Sequence, residues 1–128
     1  MTGTDDRDTR ILVVEDDGII AFDIVTRLRK LGYGDVATAA TGADAICQAE
    51  RVRPHLVFMD VTLKGDMDGI KAAEIIHGRF GSSIVYVTAH SDSSVRDRAM
   101  ATSPAGYILK PFTTGDLICA IRSALQPL

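Results

Sequence analysis

A chain of 128 residues with 46% apolar and 24% charged side chains has the size and make-up of one globular domain with its own core. Its formal net charge of -3 leaves no basic footprint for nucleic acid, and no apolar run approaches the roughly 20 residues that span a bilayer. Cys47 and Cys119 sit in helix-like patterns without CxxC spacing, so they read as core thiols, and with no signal-type apolar segment at the start a cytoplasmic location is expected.

Residues 1–9 read as a short polar tail and residues 10–128 as one domain, with no output domain among these 128 residues. A first strand is expected over residues 10–15, where Ile11-Leu12-Val13-Val14 is closed by Glu15 and Asp16. Asp16 or Asp17 suits the N-cap of a first helix whose stripe is Ile19, Ile20, Ile24, Val25, Leu28 and Leu31, and Gly32 suits its end. A second strand follows over residues 35–39. Thr41 then caps a helix marked by Ala43, Ile46, Cys47 and Ala49. The third strand, residues 55–60, carries Leu56-Val57-Phe58-Met59 and closes on Asp60. Asp68 or Gly69 begins a third helix marked by Ile70, Ala73, Ile76 and Phe80. Strand four covers residues 84–88. Helix four, residues 93–101, is short and polar and is ended by Thr102-Ser103-Pro104. Strand five covers residues 106–109. Thr113 or Thr114 caps a fifth helix with Leu117, Ile118, Ile121 and Leu125.

The first, third and fourth strands are near-continuous apolar runs, as strands covered on both faces are. Five βα units with short connections imply a single α/β domain, a doubly wound parallel sheet. In such a sheet the C-terminal strand ends share one face, where ligands bind. Glu15 and Asp16, Asp60, Thr88, and Lys110 with Pro111 all fall there. Converging carboxylates are costly unless a cation sits among them, so this face suggests a divalent-metal site around one reactive carboxylate. Gly32-Tyr33-Gly34 lies after the first helix and matches neither the dinucleotide fingerprint nor a P-loop, and the acidic turn after strand one would repel a bare phosphate. A carboxylate can take a phosphoryl group as nucleophile, with a metal, a lysine and a hydroxyl neutralising and orienting the transferred oxygens.

In these motifs the chain resembles the response-regulator receiver domain, the phosphoacceptor module of two-component signalling. The resemblance runs from about residue 10 to residue 125 and rests on ILVVEDD at 11–17, MDVTLKGDMDG at 59–69, VTAH at 87–90 and GYILKPF at 106–112. It implies a CheY-like, flavodoxin-like (βα)5 fold with strand order 2-1-3-4-5. It also implies roles for individual residues. Asp60 is the phosphoacceptor. Glu15, Asp16, Asp60 and the Thr62 backbone carbonyl hold Mg²⁺ or Mn²⁺. Thr88 and Tyr107 switch. Lys110 pairs with Asp60 or its phosphoryl group and precedes a cis bond to Pro111. The side chains of Thr62 and His90 flank the path of hydrolytic water and tune the lifetime.

Two departures from the family pattern fall at the site. Glu15 stands where Asp is frequent, and the loop after Asp60 has Lys64 in place of the usual proline and is one residue longer. Neither removes a required group. The resemblance implies a sensor histidine kinase or histidine phosphotransfer protein as donor and a protein as downstream target. It implies neither direct nucleic-acid binding nor membrane insertion, and it leaves homodimerisation through helix four, strand five and helix five open. The alternative is a receiver-shaped interaction module that no longer uses phosphate. A phosphatase of the haloacid-dehalogenase type needs a second acid two residues after the nucleophile, where this chain has Thr62, so a signalling acceptor rather than a turnover enzyme is expected.

Overall fold

The apolar runs become β1 (Arg10–Val14), β2 (Asp35–Ala39), β3 (Leu56–Met59), β4 (Ser83–Thr88) and β5 (Gly106–Leu109) in a computed structural model that describes residues 8–63, 65–89 and 92–125. Between and after them lie α1 (Gly18–Lys30), α2 (Gly42–Val52), α3 (Gly69–Phe80), α4 (Ser93–Met100) and α5 (Thr114–Leu125). The strands form one sheet in the order β2-β1-β3-β4-β5, and every pairing is parallel. Val14 is level with Ala39 on one side and Met59 on the other, and Met59 is level with Tyr86. The strand ends therefore stand side by side. The order reverses direction at β1 and β3, so the loops leaving these two strands diverge and open a cleft.

Side chains alternate across each strand, and the two faces build two cores. Ile11, Val13, Leu56, Phe58, Val85 and Val87 pack with Ile24 and Leu28 of α1 and Leu117 and Ile121 of α5. Leu12, Val14, Val57, Met59, Ile84 and Tyr86 pack with Ala45 and Ala49 of α2, Ile70, Ala73 and Ile76 of α3, and Ala99 of α4. The helix starts follow capping chemistry: Asp17, Thr41, Asp68 and Asp92 each accept backbone N–H groups of the following turn. Thr113 and Asp116 cap α5 reciprocally, amide to carboxylate and amide to hydroxyl.

The helix phase corrects part of the sequence reading. Both cysteines, expected in the core, are exposed. The buried face of α2 is Gly42, Ala45 and Ala49, a row that leaves Ala43 and Cys47 outside. In α5 the buried row is Leu117, Ala120 and Ile121, so Cys119 faces out. Ile19, counted in the α1 stripe, is 83% exposed, and Phe22 on the same helix is 72% exposed. The α2 contact is made by small residues, whereas in α5 Ala120 is buried together with the larger Leu117 and Ile121. Among the described residues, no helix is long and apolar enough to cross a membrane.

Candidate functional site

Glu15 and Asp16 follow β1, and Asp60 follows its neighbour β3, the central strand. The chain at both points is still held by the sheet: the Glu15 amide donates to Ala39 O at 3.0 Å and the Asp60 amide to Val14 O at 3.0 Å. Each of the three acids offers a carboxylate oxygen within 4.8 Å of the other two, with Glu15 and Asp60 buried and Asp16 half-buried.

Lys110 leaves the end of β5 and reaches across to this cluster. Its own amide donates to Thr88 O at 2.9 Å, and the Lys110–Pro111 peptide bond is cis. The Nζ lies 2.6 Å from Glu15 Oε1 and 3.6 Å from Asp60 Oδ2. Glu15 Oε2 accepts the Asp17 amide at 3.1 Å, so both oxygens of Glu15 are engaged by the protein. Burial pushes the Glu15 carboxyl above its ordinary range, and the Lys110 and Asp17 hydrogen bonds pull it back in part. Asp60 is fixed at its other oxygen: Oδ1 accepts from the Thr62 amide at 3.1 Å and from the Thr62 hydroxyl at 3.3 Å. That leaves Oδ2 toward the lysine.

Thr88 ends β4 and is wholly buried. Tyr107, in β5, is half-buried, with its ring centroid 6.3 Å from that of Tyr86 and the Arg96 guanidinium 5.3 Å from its own ring. The Thr62 side chain is exposed beside Asp60. His90 and Lys64 lie outside the described residues.

Glu15, Asp16, Asp60 and Lys110 thus meet in one place, with Thr88 and Thr62 on the strand and loop beside them. Residues match 11–122 to the family profile described as the response regulator receiver domain. The chain belongs to this family. The receiver is 39% identical over 131 residues to the transcriptional regulatory protein PdtaR of Mycobacterium tuberculosis, an alignment covering 98% of the chain and 63% of PdtaR. It therefore spans less than two thirds of that relative's length. Among solved structures it is similar to a CheY-like response regulator receiver domain protein from Methanospirillum hungatei, with a TM-score of 0.83 at 30% identity, covering 91% of this chain and 93% of that one. It is also similar to the receiver domain of a sensor histidine kinase from Pseudomonas aeruginosa, with a TM-score of 0.83 at 30% identity and coverage of 93% and 98%. That structure has a magnesium ion coordinated in its active-site cleft. The expected receiver family and strand order are borne out.

Three contacts beside the receiver site carried no signal in the sequence. Arg98 of α4 donates to Asp68 Oδ2 at 2.9 Å, tying α4 to the cap of α3 across 30 residues. Gly69 presses its backbone against the Asp60 carbonyl, where any Cβ would overlap the oxygen. The Tyr86 hydroxyl meets Thr102 Oγ1 at 2.8 Å. The Lys110–Glu15 pair was foreshadowed only as two residues bound for one face.

Proposed function

We propose that this receiver is a phosphorylation-dependent switch in which Asp60 takes a phosphoryl group from a phosphohistidine of a sensor kinase or a histidine phosphotransfer protein. Response regulators as a class receive phosphoryl groups from sensor kinases and act on downstream targets, and their receivers serve signalling rather than turnover. The observation that carries the reading here is the convergence of Glu15, Asp16 and Asp60 with Lys110 at adjoining strand ends.

Three carboxylates of hard oxygen character fit Mg²⁺ or Mn²⁺, and Glu15, Asp16 and Asp60 would hold the ion, with the Thr62 carbonyl as the further ligand that the family pattern implies. Both Glu15 oxygens are already bonded, which favours its action through water. When bound, the ion neutralises charge on the phosphoryl oxygens. A carboxylate oxygen of Asp60 attacks phosphorus in line. The new O–P bond forms as the partner's N–P bond breaks, and the imidazole nitrogen leaves with its electron pair. Lys110 offsets the developing charge. Thr88 then hydrogen-bonds a phosphoryl oxygen and Tyr107 follows it inward, changing the surface of α4, β5 and α5. Thr62 flanks the path of hydrolytic water.

The donor docks on α1 beside the acids, where exposed Phe22 shares one depression with Glu15 and Asp16 and another with exposed Ile19. Single exposed apolar residues are ordinary, but two on one helix turn beside the site form a patch suited to a partner helix. The output passes to a protein target, and the resemblance to PdtaR makes control of transcription a candidate pathway.

Intact mass after incubation with acetyl phosphate tests the reading. One added phosphoryl group is expected, dependent on Mg²⁺ and lost in Asp60→Asn. No adduct on folded protein, with no beryllofluoride complex either, would leave the receiver as a phosphate-independent binding module.

A further inference from the structure

α4 is the least embedded helix of the domain. Ala99 is its one fully buried residue among those described, and it meets the core as a methyl group. Val95 packs partly against the same core, and directed contacts add to this apolar anchorage of the helix. At its C-terminal end, Thr102 Oγ1 lies 2.6 Å from Ala99 O and 2.8 Å from the Tyr86 hydroxyl. A threonine hydroxyl has one proton. With that proton given to the Ala99 carbonyl, the Tyr86 O–H is the donor to Thr102. Burial pushes the Tyr86 phenol above its ordinary pKa, so it keeps that proton. The chain Tyr86 to Thr102 to Ala99 closes the last turn of α4 from inside the protein.

Tyr86 is wholly buried, and it stands two residues before Thr88 on β4, on the same face of the sheet. Its ring also tilts at 60° against that of Tyr107, over which the Arg96 guanidinium of α4 lies at 5.3 Å. One side chain therefore touches the end of α4 and the switch aromatic while sharing a strand with the switch threonine.

We infer that Tyr86 is a positioning residue of the switch: its hydroxyl pins α4 in the resting arrangement through Thr102, and this pin is released when Thr88 and Tyr107 move. The coupling half of this inference rests on the phosphorylation reading above; the anchoring half does not. A contact made in only one of two states biases the equilibrium toward that state.

The test compares Tyr86→Phe, Thr102→Val and Thr102→Ser with the wild type. Loss of one buried hydrogen bond is expected to raise amide hydrogen exchange across residues 93–100 by about 2- to 10-fold, with β1 and β3 unchanged. Apparent affinity for beryllofluoride with Mg²⁺ is expected to rise by a similar factor in Tyr86→Phe and Thr102→Val, and Thr102→Ser is expected to match the wild type. The double variant is expected to add nothing to Thr102→Val, which already removes both bonds of the chain. General destabilisation would instead speed exchange throughout the sheet, and Thr102→Val keeps the test open if Tyr86→Phe does not fold. Unchanged exchange in α4 would overturn the pin. Faster exchange with unaltered beryllofluoride affinity, in a wild type that binds it, would overturn the coupling. A wild type that binds no beryllofluoride while α4 exchange still responds would uphold the anchor and overturn the phosphorylation reading.

Discussion

Lys110 donates to Glu15 Oε1 at 2.6 Å, a full ångström closer than its approach to Asp60 Oδ2. The lysine is therefore bound first to Glu15 and only loosely to Asp60. The Glu15 side chain meets the lysine through Oε1 while its Oε2 accepts the Asp17 amide at 3.1 Å.

Removing that lysine leaves buried Glu15 and Asp60 facing each other without a cation. Lys110→Met is expected to cost about 3 kcal/mol in metal-free buffer, the range for stranding a buried charge. Mg²⁺ is then expected to restore more stability in the variant than in the wild type. Urea unfolding with and without Mg²⁺ measures both, and equal Mg²⁺ stabilisation of the two proteins would contradict the arrangement.

Gly69→Ala places a methyl group on the Asp60 carbonyl oxygen, with Val61 Cα also at 3.0 Å. Backbone, rather than a pliable side chain, has to yield. A loss of about 1–3 kcal/mol is expected, together with slower labelling by acetyl phosphate because Asp60 is displaced. Wild-type stability combined with wild-type labelling would show that the α3 start does not set the Asp60 position.

Asp68 and Arg98 form a pair whose two halves are unequal. Burial raises the Asp68 carboxyl, but the Lys71 amide, the Arg98 guanidinium and the Ile70 amide together bring it below its ordinary value. Asp68→Ala removes both the α3 cap and the pair, and is expected to cost about 1 kcal/mol. Arg98→Ala removes only an ion pair with Arg98 59% and Asp68 40% exposed, and is expected to cost below about 0.5 kcal/mol. Thermal unfolding of the two variants checks the ranking; the reverse order would mean that the tether to α4 outweighs the cap.

His55 supplies a pH dependence. Its Nδ1 accepts the Arg10 amide at 2.9 Å, which requires the neutral ring. Burial and the Arg10 charge hold its pKa below the ordinary 6.5, against a weaker opposing pull from Asp35. The unfolded chain thus binds this proton at higher pH than the folded one. Its contribution to stability is complete above about pH 6.5 and is lost as pH falls from there toward the folded-state pKa. Urea midpoints between pH 7.5 and pH 5 are expected to fall less steeply in His55→Asn than in the wild type. Parallel curves would rule His55 out as the source.

The sheet was legible because each buried strand is a continuous apolar run, Leu56 to Met59 most clearly, and such runs need both faces covered whatever surrounds them. The caps Asp17, Thr41 and Asp68 were equally legible, since an N-cap is a contact within one turn. The cysteines were misread because an apolar pattern in an 11- or 12-residue helix fits more than one phase. The buried alanines Ala45, Ala49 and Ala120 are weaker hydrophobic signals than Ile46, Cys47, Ile118 or Cys119, yet they are the ones the fold turns inward.

The same division runs through the site. Sequence alone determined which residues arrive at the C-terminal strand ends, because strand direction and element order dictate that face without any side-chain detail. Only the tertiary structure decided whom each side chain meets on arrival. Lys110 and Glu15 are separated by 95 residues, Arg98 and Asp68 by 30, and Tyr86 and Thr102 by 16. Those partnerships depend on the relative placement of separate elements to within about an ångström, the reach of a hydrogen bond, and no local pattern encodes distance at that scale.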